Sequence, residues 1–89
     1  MSMTHATDIV SVWTDNGRPT RIVWRGTRYV VTDQPTPLLR DTWHDALTHP
    51  AGRIFGWRFQ GCSVADGDVR MFDVRPAADG GWELLRTYV

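Results

Sequence analysis

Four glycine-marked turn signals divide most of this chain into short β-branched and aromatic runs: Asn16-Gly17, Gly26, Asp66-Gly67 and Asp79-Gly80-Gly81. Tight turns at this spacing leave room for strands joined as antiparallel hairpins and for little else. Asp8 to Trp13 forms the first run, and Asn16-Gly17 follows it. Both central residues of a type I′ turn need positive φ, which asparagine and glycine tolerate best. Pro19 cannot donate to a ladder and so belongs at the start of the next strand, from about Thr20 to Arg25.

The second hairpin admits two registers. A two-residue loop at Gly26-Thr27 places glycine first, as a type II′ turn requires. It pairs Trp24 with Tyr29 and Ile22 with Val31 on one face, and Arg25 with Arg28 and Val23 with Val30 on the other. A loop at Arg25-Gly26 would pair Trp24 with Thr27 and Ile22 with Tyr29 instead. The first register separates apolar from charged pairs better and is the one expected.

After Asp33-Gln34-Pro35 the pattern changes. Thr36 and Pro37 suit the cap and first position of a helix. Leu39, Trp43, Ala46 and Leu47 then recur at helical spacing, before Pro50 and Gly52 end the run. Strand patterns resume from Arg53 to Val64, with Gly56 and Gly61 as bulge candidates, and continue through Val69–Arg75 and Trp82–Val89. Asp66-Gly67 is read as a two-residue turn and Asp79-Gly80-Gly81 as a longer loop. The expected fold is α+β and mostly β. It is a bent antiparallel sheet of five to six strands or a small barrel, ordered β-β-β-α-β-β-β, with one short helix at about 37–48. Residues 1–7 are polar and expected to be disordered, leaving 8–89 as a single small domain.

Composition narrows the functional classes. The 89 residues carry ten arginines, no lysine and ten acids, nine of them aspartate, so the formal charge is zero. No apolar run exceeds three residues, so no segment is expected to span a bilayer. Cys62 stands alone, which excludes an intrachain disulfide or a Cys-x-x-Cys metal knuckle. The first residues lack the positive and apolar regions of a secretory signal, so a soluble, cytoplasmic setting is expected. Cys62 and Ser63 fall in a predicted strand with no base nearby, and no glycine-rich loop opens a helix. No enzyme activity, cofactor or metal is expected.

Taken in order, Trp24-Arg25-Gly26-x-x-Tyr29-x-Val31, Gly56-Trp57-Arg58, Phe72-Asp73-Val74-Arg75 and Gly81-Trp82-Glu83-Leu84 resemble a family of small actinobacterial domains of unknown function. That family pairs a Trp-Arg-Gly-x-x-Tyr hairpin with a closing Gly-Trp-x-Leu, and the likeness spans roughly residues 8 to 89. Leu38 to Pro50 shares least with it. The resemblance implies a small free-standing protein associated with error-prone DNA polymerase-like proteins, and hence a DNA-repair accessory. It brings no catalytic residues.

The zero charge conceals an asymmetry. Residues 18–32 carry +4 from Arg18, Arg21, Arg25 and Arg28, while residues 1–17, 33–45 and 66–89 each carry −2. In the expected register Arg25 and Arg28 sit opposite each other, a mildly unfavourable pairing that an anion would relieve. Arginine forks suit phosphates and carboxylates. Trp13 and Trp43 are the tryptophans expected to be partly exposed, whereas Trp24, Trp57 and Trp82 alternate as core residues do. The plainer account is a solvated face neutralised by Asp33 or an acidic neighbouring strand. Asp41, His44 and Asp45 share one face of the expected helix and would make a metal site only with further ligands; an ordinary polar face is the simpler reading. The expected function is a non-catalytic binding or adaptor module that engages protein or nucleic acid through Arg18, Arg21, Arg25 and Arg28 with Trp13 or Trp43. Two alternatives remain: self-association through an edge strand, Asp8–Trp13 or Trp82–Val89, as a homodimer, and a small metal-binding protein.

Overall fold

The computed structural model describes residues 8–39 and 54–89. They form seven strands: β1 (Asp8–Asp15), β2 (Arg18–Trp24), β3 (Thr27–Val31), β4 (Thr36–Leu39), β5 (Ile54–Ser63), β6 (Val69–Pro76) and β7 (Trp82–Tyr88). All pairings are antiparallel. The sheet order is β3-β2-β1-β7-β6-β5-β4, and β3 also pairs with β5. That last pairing closes six strands into a barrel and leaves β4 as an extra strand on the first half of β5. Closure removes most of the edges that an open sheet would expose. The two strands expected at the edges, β1 and β7, pair with each other through Asp8–Val10 and Trp82–Leu84.

The first hairpin matches its turn signal. Asn16 and Gly17 both have positive φ, 53° and 80°, and Asp15 faces Arg18. One extra residue, Thr20, bulges between the pairs Thr14–Pro19 and Trp13–Arg21. A bulge switches the alternation of faces. Pro19 is thereby fully buried while Arg21 points outward.

The second hairpin takes the register that pairwise sorting disfavoured. Ile22 faces Tyr29, Val23 faces Arg28, and Trp24 faces Thr27. The turn residues are Arg25 and Gly26, with φ of 51° and 78°. A type I′ turn follows the right-handed strand twist, and that fit sets the alignment. Arg25 therefore does not face Arg28. It sits in the turn, ion-paired with Asp8 at 3.3 Å, its guanidinium 4.8 Å from the Trp24 ring centroid. The β5–β6 connection also differs, for five residues, Val64–Asp68, separate the two strands. Ser63 N–H donates to Asp68 O, Gly67 N–H donates to Ser63 O, and the Ser63 hydroxyl accepts from Ala65 and Asp66. These local bonds outcompete a tighter two-residue turn.

Among the described residues there is no helix. Thr36–Leu39, where the helix was expected to open, is strand β4 paired with Ile54–Arg58. Pro35 and Pro37 bias the residues before them toward extended backbone, and the pairing with β5 supplies partners that a helix start would lack. Residues 40–48 of the expected helix, with Trp43 and His44, and residues 1–7 lie outside the described residues.

Phe59, Phe72, Ile22 and Val74 are fully buried at the centre of the barrel, with Val10, Tyr29 and Leu84 around them. Trp24, Trp57 and Trp82 lie half-buried against this core, as their alternation indicates. Phe72 is the hub, with ring centroids at 4.9 Å from Tyr29, 5.7 Å from Phe59 and 6.0 Å from Trp24. Gly61 stays in regular register, and its bare Cα lets the Phe72 ring lie against the strand. The bulge on β5 falls beside Gly56, where Leu38 pairs with Gly56 and Leu39 with Ile54.

Candidate binding face

Register across the barrel lines up outward-facing residues from successive strands. Trp13 on β1 pairs with Arg21 on β2, Arg21 with Val30 on β3, Val30 with Cys62 on β5, and Cys62 with Val69 on β6. A second row runs beside it, from Ser11 to Val23 to Arg28. Val64 extends that row, its N–H donating to Arg28 O at 2.9 Å. Trp13, Arg21, Val23, Arg28, Val30 and Val64 line a shallow concavity of about 540 Å³. Trp13 is 48% exposed, Val30 42% and Val64 65%. Singly exposed apolar residues are common; several converging on one hollow are not.

The charges on this face are unusual for this molecule. Five of the eight described arginines form ion pairs: Arg25, Arg58, Arg70, Arg75 and Arg86. The other three, Arg18, Arg21 and Arg28, make no ion pair among the described residues, and all lie on β2 and β3. Asp33 forms no ion pair with them; its carboxylate accepts the Gln60 N–H at 2.8 Å. Arg21 and Arg28 are diagonal neighbours, with no acid in either outward row.

The remaining described arginines brace the barrel. Trp24 is held by three charged groups. The guanidinium carbon of Arg25 lies 4.8 Å and that of Arg70 4.9 Å from its ring centroid, and its indole N–H donates to Asp8 at 3.1 Å. Arg70 in turn pairs with Asp68, which also accepts the Tyr29 hydroxyl at 3.2 Å. Burial, and then that hydrogen bond, raise the Tyr29 hydroxyl above its ordinary value. The Trp-Arg-Gly-x-x-Tyr segment is thus a structural clasp in which the indole, the turn and the phenol each meet a specific partner.

Asp73 forms the second brace. Only 3% exposed, it lies between Arg58 on β5 and Arg86 on β7. Arg58 donates twice, at 2.8 and 3.1 Å, and Arg86 once at 2.7 Å. Burial alone would raise the Asp73 carboxyl, but these charge-assisted bonds outweigh it and hold the group below the usual carboxylate range. The contribution to stability is therefore complete above the unfolded-state value, about 3.9. It is lost as pH falls through the lower native value. Asp73→Asn should be less stable than wild type at neutral pH. Urea midpoints of the two proteins should draw together as the pH falls below the unfolded-state value; a gap that stays constant would contradict this.

Of the residues singled out in the sequence, the fold gathers Trp13, Arg21 and Arg28 on one face. Arg25 is diverted to Asp8, and Arg18 lines a separate hollow of about 450 Å³ with Pro19 and Asp33. Trp43, His44, Asp41 and Asp45 lie outside the described residues. Val64 joins the face unforeseen, because it depends on the distant β3–β5 pairing. No three His, Cys, Asp or Glu side chains converge among the described residues, and no described helix is long and apolar enough to cross a membrane. Comparison with protein-family models, with curated protein sequences and with solved structures yields no significant match.

Proposed function

We propose that this chain is a non-catalytic binding or adaptor module that engages its partner through the outward face of β1, β2 and β3. One observation carries this reading: the arginines left without an ion pair among the described residues include Arg21 and Arg28, which line the same hollow as the half-exposed Trp13. Arginine and tryptophan are the residue types most often decisive at interface centres. A guanidinium held in the open keeps its full fork for an incoming anion. The sequence resemblance adds a DNA-repair accessory setting to the proposal.

The test is affinity capture from native lysate, with and without nuclease, by wild type and by a Trp13→Ala/Arg21→Ala/Arg28→Ala variant. All three side chains lie outside the core, so the variant should fold. Wild type should retain a species that the variant releases. Equal retention by both proteins would refute the assignment of this face.

A further inference from the structure

The chemistry of the face also limits what can sit on it. Taking the outward face of β1, β2 and β3 as the binding surface, we infer that its occupant is an acidic, partly apolar segment of another protein. Its carboxylates would meet Arg21 and Arg28, and its apolar side chains would cover Trp13, Val30 and Val64.

Charge weighs against the symmetrical alternative. A second copy docking by the same face across a two-fold axis would set Arg21 and Arg28 against their own counterparts, with no acid in either row to separate them. The partner must bring the opposite sign.

Magnitude weighs against nucleic acid. Two arginine–phosphate contacts on a single strand give a salt slope of only about −1.4, far short of the six to ten contacts typical of strong binders. A chain with zero formal charge adds no long-range attraction. Among the described residues the face offers one exposed indole, Trp13, as a stacking platform, whereas sequence-tolerant single-strand binders stack several bases in succession. Val30 and Val64, 42% and 65% exposed, have no natural partner on a polyanionic backbone. Apolar side chains of a protein segment would cover them.

Spacing fits the same occupant. As diagonal neighbours on paired strands, Arg21 and Arg28 start about 7–8 Å apart. Same-face residues two apart in an extended segment are separated by about 7 Å. An extended segment with acids at alternate positions would meet both arginines at once, each carboxylate in a fork.

The experiment selects a phage-displayed library of random peptides against the wild-type protein. In parallel, a single-stranded thymidine oligonucleotide is titrated by fluorescence anisotropy. Selected peptides should be rich in Asp or Glu interleaved with apolar residues, and should bind Arg21→Glu/Arg28→Glu more weakly by roughly tenfold or more. Circular dichroism of that variant should match wild type. Selected peptides without acids, or ones that bind both proteins equally, would overturn the inference. Oligonucleotide binding that the same substitutions abolish, with no peptide selected, would overturn the partner class but leave the face standing. If neither probe binds through Arg21 and Arg28, both readings fall.

Discussion

Phe72→Ala should cost about 3–5 kcal/mol, the range for deleting a buried phenylalanine and leaving its cavity. Phe72 is fully buried and meets Tyr29, Phe59 and Trp24 edge-on or tilted, so its removal takes three ring contacts from the core. Small domains have only about 5–15 kcal/mol in total. The variant should therefore lose much of its near-ultraviolet circular dichroism or melt about 15 °C or more below wild type, at about 4–8 °C per kcal/mol. Phe72→Leu, which keeps most of the volume, should retain the fold. A Phe72→Ala protein that melts within a few degrees of wild type would show that the aromatic cluster is not the centre of the core.

Gly56→Ala should be nearly as damaging for the opposite reason. A Cβ on Gly56 would run into the Val74 carbonyl oxygen and press on Arg75 Cβ at 3.3 Å. The obstruction is backbone of the neighbouring strand, so β5 and β6 would have to part where Trp57 pairs with Val74. Overpacking of this kind costs about 1–3 kcal/mol, and more where the neighbour cannot move. Gly61→Ala offers the comparison. There the nearest atoms are side-chain atoms of Phe72 and Tyr29, at 3.0 and 3.1 Å, and a small shift of the rings would relieve part of the clash. Thermal melts should rank wild type above Gly61→Ala and Gly61→Ala above Gly56→Ala. The reverse order would contradict the close strand approach at Gly56.

Local chemistry made part of this molecule legible before its structure. Asn16-Gly17 announces its own turn, and the alternation of Trp24, Trp57 and Trp82 marks the inner surface. The second hairpin shows where such reading stops. Its two registers differ by two residues, so each puts Ile22, Trp24, Tyr29 and Val31 on the same face, and hydrophobic patterning cannot separate them. The Arg25-Gly26 turn decides, at the expense of a non-glycine residue with φ of 51°. At Thr36–Leu39, good local helix signals lose to strand pairing, and the informative feature is the repeated proline.

Closure of the barrel was hidden for a different reason. Tyr29–Val31 meets Gly61–Ser63 across a long sequence separation, and nothing local in either segment names the other. Val64 reaches the candidate face only through that pairing. Asp73 looks like any polar residue in an alternating strand until β5, β6 and β7 are aligned and two arginines are found over it. Trp13, Arg21 and Arg28 were legible as a group because one strand and its two hairpin neighbours suffice to place them together.

Side-chain N–H spectra of the isotope-labelled protein test whether Trp13, Arg21 and Arg28 act as one binding face. On titration with a peptide selected against wild type, or with the thymidine oligonucleotide if that is what binds, the Trp13 indole and the Arg21 and Arg28 guanidinium signals should shift together. The signals of Arg58 and Arg86, locked on Asp73, should stay in place. Shifts concentrated at Arg58 and Arg86, with Trp13 unmoved, would place binding on another face.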